Sequence, residues 1–254
     1  MDRTIRGACG GLIKVKAVIL AAGKGTRLAE LTRTKPKPMV EVGDKPALER
    51  IILALSKVGV HDFVIVVGYL SEVVEQYFGD GTPWGVNIRY VKQEVPDGTG
   101  SALHLTKDAV GDNPFFMTYG DILVPASNYA GMIQTFEQTK SRAILGLNWI
   151  DDPYKGAAVY LGPDNRVERI IEKPPKGTST TNWNNAGMYV FDPVIFEYTA
   201  RLRPSARGEY ELPDAIQAML SDGLDIRGYP LEGYWRDIGT PQDVEAAQEL
   251  FKEE

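Results

Sequence analysis

The sequence predicts an α/β fold: a Rossmann-like, mainly parallel mixed sheet with helices on both faces and a smaller β-rich part. Three observations predict it. Short apolar runs rich in Val, Ile and Phe alternate with amphipathic stretches through the first half. Those runs are nearly continuous in apolar residues, the pattern of strands covered on both faces. The second half changes to several strand-like runs with turn residues between them. The first pattern is that of βαβ units, and the second is that of hairpins.

The elements follow in order. Val15–Leu20 reads as a buried strand, Ala47–Val58 as a helix and Phe63–Val67 as a second strand. Ser71–Phe78 reads as helical, Val86–Lys92 as extended, Thr99–Val110 as helical, Phe115–Tyr119 as a strand and Tyr129–Thr139 as a helix. Ala143–Trp149, Ala157–Leu161, Val167–Ile171 and Ala186–Phe191 are strand-like. Pro163-Asp164-Asn165 is a turn signal that predicts a hairpin between two of them. Helices are expected over Leu212–Ser221 and Pro241–Lys252, the second with Thr240 as N-cap and Pro241 in its first turn. Lys173–Thr181 is rich in Pro, Gly and Thr and is the best candidate for a mobile loop. Met1–Lys14 precedes the first strand and matches no pattern.

Composition narrows the function. The 254 residues suffice for a substantial core. The net charge of −6 argues against a broad basic surface for nucleic acid, although a few focused cations can still hold polyphosphate. One cysteine, Cys9, forms neither an internal disulfide nor a Cys-rich metal site, and His61 and His104 share no ligand-like spacing. No apolar run reaches membrane-spanning length, and the first residues lack the apolar core of a secretory signal, so a cytoplasmic location is expected.

The loop after the first strand carries the first chemical signal. It reads Leu20-Ala21-Ala22-Gly23-Lys24-Gly25-Thr26-Arg27-Leu28. Glycines bring backbone N–H groups close to phosphate oxygens, and Arg27 adds a permanent planar cation. Gly-x-Gly alone is more often a tight turn. A dinucleotide fingerprint needs a third glycine where Leu28 stands, and a P-loop needs one where Val18 stands. The NAD-dependent oxidoreductase reading therefore ranks low.

The fuller string resembles the Gly-x-Gly-Thr-Arg-Leu signature of the sugar nucleotidylyltransferase family. The resemblance continues in Thr34-Lys35-Pro36-Lys37-Pro38-Met39-Val40 and in Asp44-Lys45-Pro46. It implies the nucleotide-diphospho-sugar transferase fold over about residues 15–254, with a nucleotide-binding half to about 125 and a sugar-binding half beyond. It further implies that a nucleoside triphosphate joins a sugar-1-phosphate and releases pyrophosphate, with Mg²⁺ as cofactor. Lys37 matches the lysine used at the phosphates, and Lys35 is the next candidate. Leu20, Ala21, Ala22, Gly23, Gly25 and Thr26 would line the nucleotide.

Further segments extend the match. Gln93, followed by Pro96-Asp97-Gly98-Thr99-Gly100, fits the nucleobase segment, with Gln93, Gly98 and Thr99 as contacts. A glutamine amide offers both a donor and an acceptor, suited to the imide edge of uracil or thymine, hence UTP or dTTP. Asp121 in Gly120-Asp121 and Asp237 in Trp235-Arg236-Asp237-Ile238-Gly239-Thr240 resemble the family's two metal-binding aspartates. Mg²⁺ takes one or two carboxylates together with phosphate oxygens and water. Glu172 and Asn185 match the residues that grip sugar hydroxyls, Lys173 the lysine at the sugar phosphate, and Gly156 a glycine against the sugar. Glu209, in Gly208-Glu209-Tyr210-Glu211, is placed near the sugar too. The resemblance thus makes Arg27, Lys37, Asp121 and Asp237 the catalytic set. Glucose-1-phosphate is the favoured acceptor; N-acetylglucosamine-, N-acetylmuramate- and mannose-1-phosphate stay open. A non-catalytic nucleotide-sugar-binding regulatory subunit is the rival on the same fold. Relatives often assemble, so a homo-oligomer is an expectation.

Overall fold

A computed structural model describes residues 15–251. The segment 1–14 and Lys252, the predicted end of the last helix, lie outside the described residues. The chain begins with β1 (Lys16–Leu20), then β2 (Glu41–Val42) and β3 (Lys45–Pro46), which pair with each other. Helix α1 (Ala47–Lys57), β4 (Asp62–Val67), α2 (Ser71–Phe78) and β5 (Asn87–Lys92) follow. Next come α3 (Thr99–His104), α4 (Lys107–Val110), β6 (Phe115–Tyr119), β7 (Ile122–Leu123) and α5 (Ala126–Thr139). The second half supplies β8 (Ala143–Trp149), β9 (Ala157–Leu161), β10 (Val167–Glu172), β11 (Trp183–Phe191), α6 (Ile195–Thr199) and α7 (Leu212–Ser221). It closes with β12 (Ile226–Pro230), β13 (Arg236–Asp237) and α8 (Pro241–Glu249).

Nine strands form one mixed sheet in the order β10-β9-β11-β6-β1-β4-β5, with β8 paired to β11 and β12 paired to β8. Strands β6, β1, β4 and β5 run parallel, as the alternation of strand and helix predicts. Strand β11 runs antiparallel to β6 and carries the sheet into the hairpin-rich second half. Side chains along β1 explain the continuous apolar run. Ala17 and Ile19 enter one buried cluster with α1 and α5, while Val18 and Leu20 enter the other with α3, α6 and α7. Each fully buried Val, Leu or Ile side chain contributes about 1.5–3 kcal/mol.

Several predicted boundaries shift. The stretch Thr99–Val110 is two short helices, because the chain turns at Leu105 and Thr106. Strand β11 starts at Trp183, three residues before the apolar run, since Trp183 and Asn184 pair with Trp149 and Asn148 of β8. The Lys173–Thr181 loop is tethered by the Gly177 N–H, which donates to Asp152 Oδ2 at 2.8 Å. The Thr240 hydroxyl accepts from the Asp243 N–H at 3.2 Å, which is the predicted helix cap. Among the described residues no helix is long and apolar enough to cross a membrane.

Because β1, β4, β5 and β6 are parallel, Leu20, Val67, Lys92 and Tyr119 all end at one edge. Loops leaving that edge are where open α/β sheets bind ligands.

Candidate active site

The glycine loop leaves β1 at that edge. The Ala21 N–H still bonds Val66 O at 2.8 Å, extending the ladder by one residue, and then the chain turns away. Gly25 has φ +67°, and a Cβ there would lie 2.8 Å from Lys37 Cβ. Glycine is needed for both the conformation and the space. Arg27 follows in a 3₁₀ turn, Thr26–Thr32, and the Thr32 hydroxyl donates back to Gly25 O at 3.1 Å.

Lys37 opens a second 3₁₀ turn, Lys37–Met39, in which Pro38 and Met39 are buried. Burying those two anchors the turn, so the lysine head projects from a fixed base. Pro38 packs under Gly120, where an added Cβ would lie 3.1 Å from Pro38 Cγ. The lysine is thereby set beside the end of β6.

The two aspartates meet through a ladder of only two residue pairs. Asp237 of β13 pairs with Ile122 of β7, and Arg236 with Leu123. The Ile238 N–H donates to Asp121 O at 3.2 Å. Between the carboxylates sits Lys37, whose Nζ donates to Asp121 Oδ2 and, at 3.0 Å, to Asp237 Oδ1. Arg27 reaches the same place: a Cβ on Gly239 would lie 3.2 Å from an Arg27 guanidinium nitrogen and 3.3 Å from the Asp237 carboxylate. Burial opposes the Lys37 charge, but Asp121 and Asp237 outweigh it and hold the ammonium above its ordinary pKa. Burial and the Asp121 charge push the Asp237 carboxyl up, against the pull of Lys37 and Arg27.

This arrangement tests whether Mg²⁺ fits. Two carboxylate groups, both hard oxygen donors, converge on one cationic point that Lys37 fills. Among the described residues no cluster of three or more His, Cys, Asp or Glu forms a closed metal cage. An open, two-carboxylate site is the kind that Mg²⁺ shares with phosphate oxygens and water.

Gln93 begins the next loop, its N–H bonded to Val67 O at 2.8 Å. Its side-chain amide donates to Asp97 Oδ1 (3.3 Å) and to Gly98 O (3.2 Å). Both N–H groups are therefore used within the protein, and the acceptor oxygen is the group left for a base. The sequence suggested both a donor and an acceptor for the base; in this arrangement only the acceptor is left. Gly98, at φ +132°, lies against the Tyr210 backbone, where any Cβ would collide. The Gly100 N–H donates to Tyr210 O at 2.8 Å, and the Leu212 N–H donates to the Thr99 hydroxyl at 3.2 Å. The nucleobase segment and the acidic segment are thus stitched together.

A second charged cluster forms around Glu172. Arg207 donates to Glu172 at 3.2 Å and to Glu211, and lies 3.7 Å from Glu209. Glu211 is the buried member, whereas Glu209 is half exposed. Sequence reading named Glu209 and missed Arg207 and Glu211; an arginine four residues before a glutamate was the available signal. Burial, then the Glu211 charge, pushes Glu172 up to about 7 despite Arg207. Asn185 donates to the Tyr189 hydroxyl at 2.6 Å. Gly156 lies on the buried Asn184 side chain, and its carbonyl accepts from the Lys173 N–H at 2.7 Å. Lys173 itself is exposed. Tyr119, half-buried one residue before Gly120-Asp121, has its hydroxyl pushed up to about 12, chiefly by the burial of that hydroxyl, with smaller contributions from the Glu172 and Asp121 charges.

Comparison with known proteins places the chain as a whole in a family. The model of the nucleotidyl transferase family matches residues 16–254. The chain belongs to that family. The low-salt glycan biosynthesis nucleotidyltransferase Agl11 of Haloferax volcanii is 35% identical, over 94% of this chain and 67% of its own length. The bifunctional protein GlmU of Methanococcus maripaludis is 37% identical over 92% of this chain, which spans 54% of that relative. A Bacillus anthracis structure described as a glucose-1-phosphate thymidylyltransferase, solved with sucrose, superposes with a TM-score of 0.85 at 28% identity. The match covers 94% of this chain and 96% of that one. The sheet and its helices are those of the family's nucleotide-diphospho-sugar transferase fold.

Proposed function

We propose that this protein is a sugar-1-phosphate nucleotidylyltransferase that uses UTP or dTTP, with glucose-1-phosphate as the favoured acceptor. One observation carries the reading: Lys37 bonds both Asp121 and Asp237 at the edge where the glycine loop leaves β1. Cationic and metal-binding groups are what two mutually repelling phosphorylated substrates require.

A sugar-1-phosphate is ionised near neutral pH, its second pKa lying near about 6, so its oxygen attacks without a protein base. The new bond joins that oxygen to the α-phosphorus. The bond from the α-phosphorus to the bridging oxygen breaks, and pyrophosphate leaves with the electron pair. Asp121 and Asp237 would hold Mg²⁺, which when bound supplies positive charge at the reacting phosphates. Arg27 and Lys37 bind the triphosphate against the loop Leu20, Ala21, Ala22, Gly23, Gly25 and Thr26. Gln93, Gly98 and Thr99 hold the base; the Gln93 carbonyl accepts the imide N–H of uracil or thymine. Glu172 and Asn185 grip sugar hydroxyls beside Gly156 and Glu209, and Lys173 draws in the acceptor phosphate. On this reading residues to about 125 form the nucleotide half and later ones the sugar half, with the reaction in the cytoplasm.

The test is a panel of UTP, dTTP, ATP and GTP against glucose-, N-acetylglucosamine-, N-acetylmuramate- and mannose-1-phosphate, read by pyrophosphate release. Turnover is expected with a pyrimidine triphosphate and glucose-1-phosphate. No release with any pair overturns the reading and leaves the regulatory-subunit alternative.

A further inference from the structure

The lysine of the glycine loop has no place in the chemistry so far. Lys24 stands between Gly23 and Gly25, exposed, and among the described residues it makes no ion pair. Its Nζ instead lies 5.3 Å from the centre of the Tyr69 ring. Tyr69 is held in place from two sides: its N–H donates to Ala22 O at 3.4 Å and its hydroxyl donates to Thr32 O at 3.3 Å. The neighbouring lysines are committed elsewhere, Lys35 to Glu41 at 3.2 Å and Lys37 to both aspartates.

Charge counting shows why a further cation is wanted. Asp121 and Asp237 cancel Lys37 and Arg27, so the four side chains sum to zero before any substrate arrives. A triphosphate brings about four negative charges at neutral pH. Arg207 is already bonded to Glu172 and Glu211. Lys24 is a loop cation still available.

Position says which phosphates it meets. Asp121 follows β6, while Glu172, Lys173 and Asn185 lie on the β11, β9 and β10 side of that strand. Lys24 and Tyr69 lie on the opposite side, after β1 and β4. Phosphoryl and nucleotidyl transfers run in line, so the leaving group departs opposite the attacking oxygen. An acceptor arriving from the β11 side therefore drives pyrophosphate toward the β1 and β4 side.

The geometry points to Lys24 as a binding residue for the β- and γ-phosphates, and hence for pyrophosphate, parked on Tyr69 until the triphosphate arrives. This rests on the nucleotidylyltransferase reading. The reverse reaction separates its two substrates, because the nucleotide-sugar lacks the pyrophosphate that Lys24 would hold. With UDP-glucose or dTDP-glucose, Lys24→Met is expected to raise KM for pyrophosphate about tenfold while KM for the nucleotide-sugar stays within about twofold. Lys24→Arg is expected to recover most of the loss. An unchanged KM for pyrophosphate overturns the assignment, as does a parallel rise in both constants. If the wild-type protein turns over neither nucleotide-sugar, the enzymatic reading falls by itself. Calorimetric titration with magnesium pyrophosphate then decides Lys24: weaker binding to Lys24→Met supports it, and equal binding overturns it.

Discussion

Lys37 Nζ lies 3.0 Å from Asp237 Oδ1, a contact spanning 200 residues of sequence, and it also bonds Asp121. The lysine and the aspartates form one electrostatic unit: both aspartates hold the ammonium charged, while burial and the Asp121 charge work against ionisation of Asp237. Lys37→Ala or Asp237→Ala is expected to lower turnover by about a hundredfold or more with the fold intact. Steady-state rates beside circular dichroism of the purified variants check this. Near-normal turnover in folded Asp237→Ala removes that residue from the mechanism.

The same pair makes metal dependence testable. Two carboxylates hold Mg²⁺ only in part, so a chelator is expected to abolish turnover and added Mg²⁺ to restore it. In Asp121→Asn one oxygen donor loses its charge, and the Mg²⁺ concentration for half-maximal rate is expected to rise. Titration of activity against Mg²⁺ gives the answer. An unshifted midpoint would show that Asp121 does not hold the ion.

Base selection is a third prediction. Gln93 spends its two amide hydrogens on Asp97 and Gly98, which fixes its oxygen as an acceptor. Adenine lacks an N–H at the equivalent ring position, and uracil and thymine carry one. UTP or dTTP is therefore expected to outcompete ATP in wild type, and Gln93→Ala is expected to shrink that preference. Equal kcat/KM for UTP and ATP in wild type refutes the role. Gly98→Ala is a different experiment, since φ +132° and the Tyr210 backbone both reject a side chain. About 2 kcal/mol or more of stability is expected to be lost, measured by urea unfolding.

Much of the fold was legible because burial leaves a periodic trace. The first strand is apolar on consecutive residues since both of its faces are covered, and Thr240 announced its helix through cap chemistry. The ladder joining Asp121 to Asp237 left no such trace: β7 and β13 are two residues each, too short for any period. Only the likeness of their flanking residues to a known family linked them. Arg207 was hidden for another reason. Its spacing to Glu211, four residues on, was visible, but its other partner is Glu172, thirty-five residues away on a strand, and no local spacing reports that contact.

Glu172 offers a prediction in pH. Its carboxyl is raised from the ordinary glutamate value to about 7, by burial and by Glu211, with Arg207 opposing. The folded protein therefore keeps this proton in a window, between the ordinary value and about 7, where the unfolded chain has lost it. Its contribution to stability is fully present below that window and is lost as pH rises through it. Binding runs the other way, because only the carboxylate accepts from two sugar hydroxyls. KM for the sugar-1-phosphate is expected to rise as pH falls below about 7, with KM for the triphosphate far less affected. The acceptor phosphate also titrates, near about 6, so the wild-type curve alone is ambiguous. Glu172→Gln removes one of the two titrations. Its KM for the sugar-1-phosphate should be higher at pH 8 and should lose the component near 7, keeping only the phosphate's. A variant profile that superimposes on the wild-type one shows that Glu172 does not contact the sugar.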